Sequence, residues 1–299
     1  MTIRMLVGAA MLCGMAAAGC RQEKPAGSPA TDRPATDPTV TEEPVTEEPV
    51  TEEPPDAVAG QETVWTPFDV ETAEGTIACS LGRAAAPFTP PSLCIVLYSG
   101  TPDEQLIQRG AHVLRVPVSW PGLRHVAAAA RDGNDLFDEE NARLRAVNAK
   151  AIEAGLSAPG RTVLMGGSRD GFIALDAMAH IPEIGAAIAC QTVTVWPYLG
   201  EFKGMEGNAI LQKHDLQEHA SMMAPRPVLL QIGYNDERVG TAPCRELAEH
   251  LEQVYDKMGA ADRTELHVLA IKGHVDSPAG EDDRRQLSWL YEQRFIRDE

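Results

Sequence analysis

The sequence predicts an α/β protein, with a mostly parallel central sheet covered by helices on both faces. Three observations carry this. From residue 93 onward, short apolar runs of strand length alternate with longer stretches of helical period. At residues 161–174 an apolar run stops at the pair Gly166-Gly167 and a helical pattern begins at once, with Ser168 at the turn. Two more polar residues, Asp236 and His274, each stand just beyond the end of an apolar run. All three therefore fall at the carboxyl ends of strands, where a parallel sheet gathers its ligands.

Taken in order, the chain begins with Arg4, an apolar stretch over residues 5–18 and the ending Ala17-Ala18-Gly19-Cys20. The stretch is short for a membrane span and ends in small residues, so residues 1–20 read as an export signal. The ending resembles the bacterial lipobox, which implies that the Cys20 thiol receives a diacylglyceryl group and that Cys20 becomes the first residue of the mature protein. An ordinary secretory signal cleaved near residues 16–18 is the alternative. Arg21 stands where an aspartate would resemble an inner-membrane retention signal, so the expected location is the outer membrane or cell surface. Residues 21–60 are rich in Pro, Thr, Glu and Ala, with a Thr-Glu-Glu-Pro-Val unit recurring over residues 41–54. Such a segment builds no core, and like charges with repeated prolines keep it extended. As a disordered tether it would reach on the order of 100 Å at about 3 Å per residue.

Residues 61–299 are ample for one domain with a single large core. Of the net charge of −18, residues 21–60 hold −7 and residues 61–299 hold −12. A domain this acidic is unsuited to binding nucleic acid or an anionic membrane surface directly, which leaves a lipid anchor as the expected membrane contact. Alternation over 64–70 and 76–81 predicts an opening hairpin, and 93–98 the first buried central strand. A short helix is expected over 105–109, a strand over 112–118 and a helix over 138–154. The Ser168 strand and its helix over 172–180 follow, then a strand over 185–191. Strands over 227–233 and 264–271, with helices over 246–258 and 284–294, complete the layers. Residues 192–223 interrupt the alternation with Trp196, Pro197, Tyr198 and Phe202. Such an insertion would either overhang the strand ends or simply be packed down by its aromatics.

A serine hydroxyl is a poor nucleophile until a histidine takes its proton, and that histidine needs a carboxylate to hold its tautomer. The order Ser168, Asp236, His274 supplies all three. The elbow Gly-Gly-Ser-Arg-Asp-Gly (166–171), the run Ala-Pro-Arg-Pro-Val-Leu-Leu (224–230) and the loop Asn-Asp-Glu-Arg-Val (235–239) resemble the α/β-hydrolases. The likeness is to the prolyl-oligopeptidase-like and dienelactone-hydrolase-like esterase branch, whose elbow reads Gly-Gly-Ser-Arg-Gly-Gly. It implies a catalytic triad of Ser168, Asp236 and His274 and no cofactor. Asp170 departs from the pattern, with Gly171 one step later. Its carboxylate is expected to face away from the cleft and cap the following helix.

The resemblance also implies an oxyanion hole from the backbone N–H groups of Arg169 and Thr101, although Ser99-Gly100-Thr101 stands where many relatives carry His-Gly-x. The Arg169 side chain is expected in an exposed salt bridge, with a substrate carboxylate in the pocket as the alternative partner. His112, His125, His180, His214, His219, His250 and His267 show no partner at a recognisable spacing, so no metal site is expected. In an oxidising compartment Cys79, Cys94, Cys190 and Cys244 allow up to two disulfides, while Cys94 and Cys190 fall in buried-strand patterns. The resulting expectation is an exported, lipid-anchored serine esterase acting on a small-molecule or carbohydrate ester with a short acyl group. A peptidase of the same fold and an inactive binding lipoprotein are the alternatives. Prolyl-oligopeptidase-like peptidases carry a large domain ahead of the hydrolase domain, where this sequence has leader and tether, and that favours the ester.

Overall fold

The computed structural model describes residues 63–97, 102–120, 122–274 and 281–298. Cys20, the tether and the Ser99-Gly100-Thr101 segment lie outside the described residues. Eight strands form one sheet. They are β1 (Trp65–Thr72), β2 (Gly75–Gly82), β3 (Ser92–Val96), β4 (Ala111–Arg115), β5 (Thr162–Gly167), β6 (Ile184–Cys190), β7 (Val228–Asn235) and β8 (Thr264–Lys272). The helices are α1 (Asp103–Gln108), α2 (Leu123–Arg131), α3 (Leu136–Glu153), α4 (Arg169–His180), α5 (Ala209–Lys213), α6 (Ala220–Met223), α7 (Thr241–Lys257) and α8 (Glu281–Glu292). Among the described residues, no helix is long and apolar enough to cross a membrane.

The spatial order is β1-β2-β4-β3-β5-β6-β7-β8. The β1–β2 hairpin is antiparallel, β2 pairs antiparallel with β4, and every pairing from β4 to β8 is parallel. Parallel strands need helical crossovers, and helices on both faces leave the central strands almost wholly apolar. Successive residues of β3 show this directly. Leu93 and Ile95 join a core with α3, α4 and α7, through Leu144, Phe172 and Leu251. Cys94 and Val96 join a second core on the other face with Leu106 of α1 and Trp289 and Leu290 of α8.

Among the differences from the pattern, two boundaries and one further helix have a local reason. β4 ends at Arg115 and not at 118, because Pro117 has no N–H to continue a ladder. α7 starts at Thr241 and not at 246, since Pro243 in its first turn is a position where no N–H is needed. α2 was not expected at all. Its four successive alanines, 127–130, have the highest helix propensity, and Val126, Ala127, Ala129 and Ala130 form its buried face.

The cysteines behave as core residues. Cys79, Cys94 and Cys244 are separate buried thiols, not halves of disulfides. Burial pushes them up to about 11, about 12 and about 12 respectively. The Cys190 thiol, also buried, donates to Gln231 Oε1 at 3.0 Å.

Candidate active site

Ser168 joins the end of β5 to the start of α4 with φ 53° and ψ −120°. That left-handed backbone costs on the order of 1–3 kcal/mol for a residue with a Cβ, and persists only where its surroundings enforce it. Here both peptide groups of the turn are tied down by the end of β6 and the segment that follows it: Ser168 N donates to Cys190 O at 2.8 Å, and Val193 N donates to Ser168 O at 3.1 Å. The glycines leave the room this needs. A Cβ on Gly166 would lie 2.1 Å from the Asp170 carbonyl oxygen, and one on Gly171 would lie 2.8 Å from the Thr192 side chain. The close approach usually met by the motif's second glycine thus falls at 171, which is why 170 can carry a side chain.

The loops after β7 and β8 bring up the other two residues. Asp236 N donates to Thr241 Oγ1 at 2.8 Å, whose hydroxyl donates to Gly233 O at 2.7 Å, so the first turn of α7 clamps the acid loop. Asp236 Oδ1 accepts from Arg238 N at 2.9 Å and Val239 N at 3.1 Å. Oδ2 faces His274 Nδ1 at 2.8 Å, and His274 Nε2 faces Ser168 Oγ at 3.0 Å. Burial of Asp236 works against its ionisation, but the His274 bond and the two backbone N–H groups outweigh it and hold the carboxyl below its ordinary value. An ionised Asp236 keeps the proton on His274 Nδ1 and leaves Nε2 to accept the serine proton.

No family model matches the sequence, and no curated protein matches it. Solved structures do. Dipeptidyl peptidase 4 from Porphyromonas gingivalis aligns with a TM-score of 0.59 at 15% identity, over 78% of this chain and 35% of that one. TT1662 from Thermus thermophilus aligns with a TM-score of 0.59 at 18% identity, over 79% of this chain and 100% of that one. The Pyrococcus furiosus esterase PF2001 gives 0.56 at 15% identity, over 77% and 91%. This chain has the α/β-hydrolase fold. It spans about a third of the length of the peptidase and the whole of TT1662.

Within this α/β-hydrolase fold, Arg169 is the first residue of α4, so its N–H belongs to the first turn, where no helical carbonyl is available to it. The Thr101 N–H lies outside the described residues. The Asp170 side chain corrects an expectation. Its Oδ1 accepts from Arg169 Nε at 2.7 Å, so its partner is the neighbouring guanidinium and not the helix end. Burial pushes Asp170 up, and the Arg169 bond only partly offsets this. Arg169 is in a salt bridge, but a half-buried one where an exposed one was expected, and its Nη1 also donates to Trp120 O at 3.2 Å, which ties the elbow to the loop after β4.

The insertion is packed down by its aromatics. Trp196 packs on Phe172 of α4 at 4.7 Å between ring centroids and on Phe137 of α3 at 5.2 Å, with Phe202 behind it at 4.8 Å. It also reaches the acid loop, where Arg238 Nη2 donates to Glu201 Oε1 at 2.9 Å. An open cleft of about 530 Å³ between α2, the insertion and this loop is lined by Arg124, Arg131, Glu201 and Arg238.

The remaining histidines are not all background. Asp176 on α4 collects three of them. His214 Nδ1 lies 2.9 Å from Asp176 Oδ2, with its Nε2 3.1 Å from Asp135 Oδ1, and His180 and His219 flank the same carboxylate. Burial opposes ionisation of Asp176, but the His214 bond prevails and holds the carboxyl at about 2. No sequence spacing announced the cluster, because its members come from α4 and from two points in the insertion.

Proposed function

We propose that the protein is an exported serine hydrolase that cleaves a carboxylic ester through an acyl-enzyme, with a short acyl group, such as acetyl, on a carbohydrate or similar alcohol. The single observation behind this reading is the relay Ser168 Oγ, His274 Nε2, His274 Nδ1, Asp236 Oδ2, with links of 3.0 and 2.8 Å. In this reading Ser168 Oγ attacks the ester carbonyl as His274 takes its proton. The Arg169 N–H, and with it the Thr101 N–H, would stabilise the oxyanion that develops. His274 returns the proton to the leaving alkoxide, which departs as the alcohol. Water then enters by the same route, His274 taking its proton, and the acid leaves with Ser168 restored.

An ester is favoured over a peptide on chemical grounds. An amide nitrogen must be protonated as it leaves, which demands tighter control of substrate and base than an alkoxide does. In the same proposal Cys20 carries the lipid and residues 21–60 hold the domain off the membrane. Turnover of p-nitrophenyl esters of two to four acyl carbons, set beside aminoacyl and prolyl anilides, tests the ester assignment. Equal cleavage of anilides would replace it with a peptidase, and failure to react with a fluorophosphonate would leave an inactive binding protein.

A further inference from the structure

We propose that Asp176, His180 and His219 form a binding site for one divalent transition-metal ion of the zinc class, which pins the insertion to the helix that follows Ser168. Asp176 and His180 are four residues apart on α4 and so share one face, while His219 immediately precedes α6. One ligand atom from each of the three lies within 4.8 Å of the others. His219 Nδ1 stands 3.4 Å from Asp176 Oδ1, and His180 Nδ1 stands 3.5 Å from the same oxygen. Metal bonds of about 2.0–2.1 Å at the tetrahedral angle separate neighbouring ligand atoms by about 3.4 Å.

The second observation is His219 itself. It is 9% exposed, and its buried Nδ1 faces Asp176 Oδ1 at 3.4 Å without a well-aligned hydrogen bond. A buried imidazole nitrogen paired this loosely with a carboxylate fits two ligands that share an ion. Imidazole donors with one carboxylate select zinc-class ions over calcium or magnesium, which take oxygen. Outer partners orient the carboxylate, with Asn141 Nδ2 donating at 2.8 Å and His214 Nδ1 at 2.9 Å. His180 Nδ1 lies 2.8 Å from the Asp176 main-chain oxygen, a contact that holds the ring beside the carboxylate until the ion replaces it. The His180 side chain is 23% exposed, which gives the ion an entry path and room for a water as fourth ligand.

A neighbouring group, Asp135, Asp138 and His214, is the weaker site. Lys213 Nζ already sits 2.8 Å from Asp135 and bonds Asp138, so a cation is in place there, and both His214 nitrogens face carboxylates. Asp176 is eight residues beyond Ser168, about 12 Å along α4, so the ion holds the scaffold and takes no part in the chemistry.

The test is zinc titration of the full-length chain after stripping with EDTA, followed by calorimetry and thermal unfolding. One zinc per chain is expected, with a rise in Tm of about 5–10 °C at a hundredfold excess over Kd. His180→Ala, whose side chain is partly exposed, should weaken binding about a hundredfold, with circular dichroism and the metal-free Tm checking that the variant is folded. His219→Ala should weaken it likewise, and His125→Ala should bind as the wild type does. Absence of stoichiometric binding, or His180→Ala and His219→Ala binding zinc as tightly as the wild type, would overturn the site. Neither result bears on the serine hydrolase reading, which the fluorophosphonate reaction tests separately.

Discussion

Asp236→Asn isolates what the acid does, because the structure dictates how an amide must sit. Oδ1 accepts two backbone N–H groups, from Arg238 at 2.9 Å and Val239 at 3.1 Å, so the amide oxygen keeps that place. The amide NH₂ then takes the place of Oδ2, 2.8 Å from His274 Nδ1. Two donors cannot face each other there, so the ring must present Nδ1 as an acceptor and carry its proton on Nε2. That nitrogen, 3.0 Å from Ser168 Oγ, then donates where it should accept. A triad histidine in the wrong tautomer loses about 10⁴-fold in kcat, which is about 5–6 kcal/mol on the barrier. Initial rates with p-nitrophenyl acetate measure the loss, and Tm at neutral pH checks that the near-isosteric variant is folded. A variant keeping more than about a tenth of the wild-type kcat would refute the tautomer argument. The same carboxylate makes stability depend on pH. Its folded pKa lies below the ordinary carboxylate value of 3.8, so its contribution is fully present above 3.8 and is lost as pH falls through the folded value. The stability gap between wild type and Asp236→Asn should therefore close as pH is lowered below 3.8.

Ser168→Ala should abolish turnover and fluorophosphonate labelling while keeping Tm at or above that of the wild type, since alanine removes only the hydroxyl; residual turnover above a thousandth would assign the nucleophile elsewhere. Gly166→Ala forces a Cβ to within 2.1 Å of the Asp170 carbonyl oxygen, so a loss of about 3 kcal/mol or more is expected in urea unfolding, or no soluble protein. Asp170→Gly removes the partner of Arg169 Nε and should lower stability by about 1 kcal/mol while changing kcat less than threefold; a tenfold rise in kcat at unchanged stability would show that the carboxylate opposes the oxyanion. Wild-type protein should partition with membranes after export and Cys20→Ser should be released or stay unprocessed; a wild type found soluble, with a mature end upstream of Cys20, contradicts the lipid anchor.

The parts of the site that could be read from the sequence are those written in contiguous residues. The Gly166-Gly167-Ser168 turn, the loop at Asp236 and the end of the run before His274 each carry a local signature, and a parallel sheet places strand ends together whatever the side chains between them. What could not be read depends on contacts between distant segments. Asp176 meets His214 and His219 only because the insertion folds back onto α4, and no local spacing encodes that fold. Glu201 meets Arg238 for the same reason. The Asp170 partner was one residue away, yet local sequence does not choose between the Arg169 guanidinium and the helix end. α2 carries both the alanine propensity and the two-faced pattern of a helix, in a stretch of only nine residues.

β8 closes one side of the sheet, and its only neighbour in the strand order is β7. Most of its residues are half-buried, in contrast to the fully enclosed β3 and β6. His274, the proton acceptor of the proposed reaction, therefore sits on the rim, while Ser168 is anchored at the centre. Edge strands open with less free energy than the whole molecule, so a small outward excursion of β8 parts the relay with the central layers untouched. Catalytic competence then becomes a sensitive gauge of rim closure: in mild denaturant, hydrolysis should fade while the circular dichroism of the helices still reads as native.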